Sequence, residues 1–214
     1  MNIIFKKTKT MKKIFTILTV FALSTTMSFA QTQYAAAVGL NLSNIYGDDI
    51  EDANTRLGIR VGTNFSRELS DAVMLNTGLL YSVKGFSYDL ETINLQTLAT
   101  EKVDANMSFN YLEIPVNLAF SVADQFSLMA GFYSAFLVGV THTVDGEDVD
   151  ADTDDFSSID FGIGLGADFS ITDAISLNAG YQIGLAEVLD EDMDVDAKNA
   201  NILFGLTYNF GGGY

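Results

Sequence analysis

From Tyr34 to Phe210, apolar residues recur at every second position in short runs, the period of a β-strand and not of a helix. Strand one sets Val38, Leu40 and Leu42 against Gly39, Asn41 and Ser43. Strand two sets Leu57, Ile59, Val61 and Phe65 against Gly58, Arg60, Gly62 and Asn64, and strand three sets Val73 to Val83 against Asn76, Gly78, Ser82 and Lys84. Strand four (Leu112 to Phe120) opposes Tyr111, Glu113 and Asn117, and strand five (Phe126 to Val138) opposes Ser127, Gly131, Tyr133 and Gly139. Strand six alternates Ile159 to Phe169 with Asp160, Gly162, Gly164, Gly166 and Asp168. Strands seven (Ile175 to Leu185) and eight (Ile202 to Phe210) complete a set of eight.

The strands carry an internal repeat. Asp71 to Gly78, Asp124 to Gly131 and Asp173 to Gly180 share one spacing, with Leu75, Leu128 and Leu177 at the same offset. Each copy follows a strand ending in Phe-Ser: Phe65-Ser66, Phe120-Ser121 and Phe169-Ser170. A strand, a tight turn and a second strand, reused about every 50 residues, is the mark of one hairpin unit building a larger closed structure.

The connections differ by end. Those after strands two, four and six are tight, and those after one, three, five and seven are long. The long ones hold 21 of the 28 acidic residues, so the charge is segregated from a chain that is 48% hydrophobic. Short turns at one end and long loops at the other is the layout of an outer-membrane barrel, whose short turns face the periplasm. The N-terminus agrees: Lys12-Lys13, an apolar run from Ile14 to Leu23, and small residues around Ser28 and Ala30 have the three sections of an export signal. The run is shorter than the roughly 20 residues a spanning helix needs. Residues 1–30 therefore read as a cleaved signal, starting at Met1 or Met11, and residues 31–214 as one barrel domain. Cleavage removes five of the 11 basic residues and none of the 28 acids, leaving a net charge of -22. The chain has no cysteine, which excludes disulfides and thiolate metal sites.

In this phasing all 12 strand glycines share a face with Arg60, Lys84, Glu113, Asp160 and Asp168, and the other face is aliphatic and aromatic. That predicts an all-β, eight-stranded antiparallel up-and-down transmembrane barrel with lipid outside and a narrow polar lumen. The inverse arrangement, a soluble lipocalin-like barrel around a greasy ligand, would overfill an interior that eight strands leave just wide enough for side chains. Tyr34, Phe65, Phe120, Phe126, Phe169, Tyr208 and Phe210 supply an aromatic girdle at the short-turn end.

Two segments carry a resemblance. Tyr111-Leu-Glu-Ile-Pro115 resembles a strand of the porin-family, PorT-like outer-membrane barrel proteins of Gram-negative bacteria. The end of the chain, Gly205, Tyr208 and Phe210, resembles the signal read by the barrel-assembly machinery, with Leu203 and the tail Gly211 to Tyr214 departing from that pattern. The resemblance implies an exported, membrane-inserted barrel with the assembly machinery as a partner.

Arg60, Lys84 and Glu113 are the candidate lumen cluster, as an ion-paired filling or a gate; for a gate, alanine at Arg60 and Glu113 raises conductance. Asp148, Asp150, Asp152 and Asp154, echoed by Asp192, Asp194 and Asp196, present carboxylates at alternate positions. Oxygen-rich clusters suit divalent cations such as Ca²⁺, against the plainer reading of a solvated acidic loop. Pro115 cannot donate to a ladder, so a bulge or bend is expected there. The one histidine, His142, has no nucleophile beside it in any recognisable motif, so no enzyme and no cofactor are expected, and an acidic surface excludes nucleic acid. The expected role is that of a monomeric structural or surface-interaction barrel in outer-membrane lipid, with a small passive channel as the alternative and a lipid-active barrel enzyme behind it. Protein recovered from outer membranes is expected to begin at Gln31 by N-terminal sequencing; a chain still carrying residues 12–30 would make that stretch an anchor.

Overall fold

A computed structural model describes residues 32–48, 50, 53–93, 100–149, 151–189 and 195–210. The expected signal, Asp150, Asp192, Asp194 and the tail Gly211 to Tyr214 lie outside the described residues. The alternating segments form β1 (Thr32–Tyr46), β2 (Asn54–Ser70), β3 (Val73–Ile93), β4 (Thr100–Ala123), β5 (Phe126–Val144), β6 (Glu147–Val149), β7 (Ile159–Ser170), β8 (Ile175–Glu187) and β9 (Lys198–Asn209). All pairings are antiparallel, β4 pairs both β3 and β5, and β1 pairs β9, so eight strands close into a ring. The ninth, β6, is a three-residue addition that pairs β5 inside the loop expected to be irregular.

The register fixes the shape of the ring. From Ser43 the paired row runs through Asn201, Gln182, Gly164, Gly131, Asn117, Asn76 and Ser66, and returns to β1 at Gln33, ten residues earlier. A stagger of that size over eight strands tilts them by about 40°. Every residue in the row is polar or glycine, because one face of each strand must turn into the narrow interior. The other face is exposed and apolar all round, from Val38 and Ile59 through Phe132 and Leu165 to Phe204. In the girdle Tyr34 meets Phe65 edge to face at 5.6 Å, and Phe126 pairs Phe169 across β5 and β7.

Three local expectations are corrected. The polar loop placed between strands three and four is instead a continuation of both strands, β3 to Ile93 and β4 from Thr100. Pro115 causes no bulge: the β3–β4 register is in step from Thr77 opposite Val116 to Leu80 opposite Glu113, and only the pairs between them drop out. The β4–β5 shifts fall instead between Ser121 and Ala123, beside the short turn, and between Asn110 and Tyr111. At the latter Leu137 and Val140 both pack on the interior cluster, so Val138 and Gly139 between them face outward together, where alternation had put them on opposite faces. The β2–β3 shift between Thr55 and Arg60 and the positive φ of Gly85, 141°, lie near the same level. Bulges bend and twist a sheet, and this line marks where β3, β4 and β5 leave the ring and continue as a projecting sheet.

The repeat glycines have a tertiary cause. Gly78 and Gly131 lie directly opposite Asn64 and Asn117, whose side chains fold over them. A Cβ on Gly131 would sit 2.2 Å from the Val116 carbonyl oxygen and 2.4 Å from Asn117 Oδ1. Replacing Gly131 with alanine is expected to lower stability by about 1–3 kcal/mol, read by urea unfolding of the refolded barrel, whereas Leu165→Ile on the lipid face should change it by less than about 0.5 kcal/mol.

Candidate functional site

The chemistry inside the ring is layered. In the middle layer Glu113 Oε1 accepts from Arg60 Nη2 at 2.7 Å and from Gln182 Nε2 at 3.2 Å, while its Oε2 lies 3.3 Å from Lys84 Nζ. Lys84 donates to Asp160 Oδ2 at 3.0 Å, and Asp160 also accepts from Tyr133 OH at 3.2 Å and Asn199 Nδ2 at 3.1 Å. On the remaining strand Asn41 donates to Ser82 Oγ at 2.9 Å and to the Val83 carbonyl at 3.0 Å, reaching over its partner Gly58. Seven of the eight ring strands thus put a polar side chain into one connected network, and β1 adds the Asn41–Ser82 pair beside it. Two cations and two carboxylates balance, and Lys84 and Glu113 have side chains 0% exposed. Lys84 Nζ also stands 3.9 Å from the centroid of the Tyr133 ring, a favourable place for a desolvated ammonium.

Sequence reasoning named Arg60, Lys84 and Glu113, and the structure brings these three together. It left out Asp160, Gln182 and Asn199. Asp160 had been placed on the lumen face, and the missing signal was charge balance, since two cations on a narrow wall require two anions. An aromatic layer above was missed altogether. Phe109, Tyr111, Tyr133, Ile45, Ala135 and Val188 form a buried cluster, with Phe86, Met107, Leu137, Val140 and Phe156 packed against it. Phe156 comes from the loop after β6 and meets Phe109 at 5.2 Å. That loop is held by Ser157 Oγ donating to the Leu189 carbonyl at 2.8 Å. Tyr111 and Tyr133 on the glycine face were the available hint, since such bulk fits a narrow lumen only by filling it.

Below the ionic layer lies a cavity of about 380 Å³. Asn64, Asn76, Asn117, Asn178 and Asp168 wall it, Arg60 closes its inner end, and the turn residues Asp124, Gln125, Thr172 and Asp173 form its mouth. It is a well open towards the short-turn end.

The described part of the acidic loops forms no metal centre. Asp148 accepts from Thr143 Oγ1 at 3.2 Å, and Asp152 caps a 3-10 turn by accepting from the Asp154 amide at 3.1 Å. Among the described residues no group of three or more acidic or histidine side chains is placed to hold a metal ion. At the rim, Lys198 bonds Asp196 and, at 3.0 Å, Glu187, and these two carboxylates raise its pKa above the usual lysine value. Gly205, Tyr208 and Phe210 lie on and just past the closing strand, Tyr208 meets Phe210 edge to face at 5.6 Å, and the Phe210 amide donates to the Tyr34 carbonyl at 2.9 Å.

A closed eight-stranded ring with a lipid-compatible exterior narrows the comparison with known proteins. The family model described as outer membrane protein beta-barrel domain matches residues 28–190. The chain belongs to this family. It is an outer-membrane β-barrel. Among solved structures, Neisserial surface protein A (NspA) is 11% identical over 83% of this chain and 97% of its own, with a TM-score of 0.51. Ail, the attachment invasion locus protein of Yersinia pestis, is 15% identical over 84% of this chain and 99% of its own, with a TM-score of 0.46. OprG of Pseudomonas aeruginosa is 14% identical over 85% and 96%, with a TM-score of 0.37. At these identities the likeness is one of fold. No curated protein sequence matches the chain.

The network makes a quantitative prediction for the barrel. Glu113→Ala strands Arg60 and Lys84 beside a single remaining carboxylate, and should cost about 3–5 kcal/mol. Lys84→Ala combined with Glu113→Ala restores balance, so urea unfolding should show a double mutant less destabilised than the sum of the singles, by about 1–3 kcal/mol.

Proposed function

We propose that this protein is a sealed, non-conducting outer-membrane barrel, a stable scaffold that holds acidic elements outside the cell for interaction with other molecules. The observation that carries the reading is the double filling of the lumen. An ionic layer drawing on seven of the eight strands lies under an aromatic layer pinned by a loop, and the well beneath them has a closed end. An eight-stranded ring has an interior that side chains fill, and here they are large ones. Export through residues 1–30 and closure by the assembly machinery acting on Gly205, Tyr208 and Phe210 complete the proposal. The Tyr111-Leu-Glu-Ile-Pro115 strand supports a place in the PorT-like branch. The surface role is supported by 21 of the 28 acids lying in the loops and strand extensions at the end away from the short turns.

This reading changes the expected effect of opening the ionic layer. With Phe109, Phe156 and Tyr111 standing above it, Arg60→Ala with Glu113→Ala should destabilise the barrel without creating a path for ions. Residues 31–214 refolded into planar bilayers should insert without discrete openings, and so should that double variant. Discrete openings in the unaltered protein would establish the passive channel, and openings in the variant alone would make the ionic layer a gate.

A further inference from the structure

Among the described residues, the sheet that projects above the ring ends in an edge with no strand beside it. The last β2–β3 pair is Asn54 opposite Ser87, yet β3 runs on through Tyr88, Asp89, Leu90, Glu91 and Thr92 to Ile93, paired on its other side with β4 all the way to Thr100. Six residues of strand, about 20 Å long, therefore have no strand partner on one side among the described residues. Such an edge is a template for another chain, and proteins usually blunt it with lysine, proline or a bulge. This one has no lysine or proline, and β3–β4 keeps its register throughout.

Its chemistry selects a partner. Asp89 lies directly opposite Asp104 and Glu91 opposite Lys102, so these four side chains share one face. Lys102 reaches Asp89 at 3.6 Å with both side chains well exposed, an ion pair worth little in water. Counting Glu101, the two strands carry four acids and one base over 88–93 and 100–104. On the opposite face Tyr88 and Ala105 pair, as do Leu90 and Val103, and Tyr88 is fixed by its hydroxyl 2.8 Å from His142 Nε2. Asp89, Glu91 and Asp104 thus make one face acidic, while the other is apolar at Tyr88 and Leu90 and turns polar beyond them, where Thr92 pairs Glu101. A second copy of this chain would bring a like-charged edge, so self-pairing is disfavoured.

We infer that the β3 edge, Tyr88 to Ile93, is a docking site for an extended segment of another protein that alternates basic and apolar residues. The segment adds as a strand: its backbone bonds the free edge, its basic side chains meet Asp89 and Glu91, and its apolar ones extend the Tyr88 and Leu90 face. This assignment rests on the proposed surface role, but its test does not use conductance, so the two fail separately. Full-length protein refolded in nanodiscs is titrated with a capped ten-residue peptide alternating lysine and valine, and with the same peptide N-methylated at every residue. The two carry equal charge, but the second has no backbone N–H with which to form a ladder on either edge. Saturable binding of the first is expected, at least tenfold weaker for the second, with at least a tenfold loss in Asp89→Lys/Glu91→Lys. Heat-modifiable gel migration checks that the variant barrel is intact. Equal binding of both peptides, no binding of either, or undiminished binding to the variant overturns the assignment.

Discussion

The hydrocarbon of a membrane offers no partner to a backbone N–H or C=O, so a strand that enters it must be paired on both sides. Pairing of β1 with β9 meets that demand, and the rest of the interior follows from it. Eight strands closed with a stagger of ten residues leave a lumen only as wide as its own side chains. Space is rationed by position. Where the wall crowds inward, glycine is required, as at Gly131, where a Cβ would meet the carbonyl oxygen of the next strand. Where there is room, polar groups must satisfy one another.

That requirement explains the composition of the ionic layer. A buried ion missing its partner is far more costly than a complete set, and the complete set here is neutral: Arg60 and Lys84 against Glu113 and Asp160. Gln182, Tyr133 and Asn199 donate further hydrogen bonds to the two carboxylates. The same groups that make the barrel stable also obstruct it. Stability of the barrel and filling of its lumen at this level come from one arrangement.

Outside the ring the constraint is lifted, because water can hydrogen-bond an open edge. The line of irregularities at Gly85, Asn110 and Val138 marks this change. Below it every strand has two neighbours; above it β3, β4 and β5 continue with β6 at one side and, among the described residues, an edge without a strand partner at the other. An edge that would be intolerable in lipid becomes available for recognition in water.

By itself the sequence determined the strands, their phase, the lipid-facing side and the ends at which turns and loops lie, because each follows from a period-two pattern and from where charge can be solvated. Arg60, Lys84 and Glu113 were legible as lumen residues for the same reason. Tertiary structure alone decided which charges meet, since Lys84 and Asp160 are 76 positions apart and are joined only by ring closure and stagger. It also decided that Val138 and Gly139 share a face, because a bulge breaks alternation without leaving a mark in composition. The hairpin from Tyr88 to Ile93 read as a polar loop because its acidic residues and short apolar runs resemble solvated connections. Only cross-strand pairing with Thr100 to Ala105 made it a sheet.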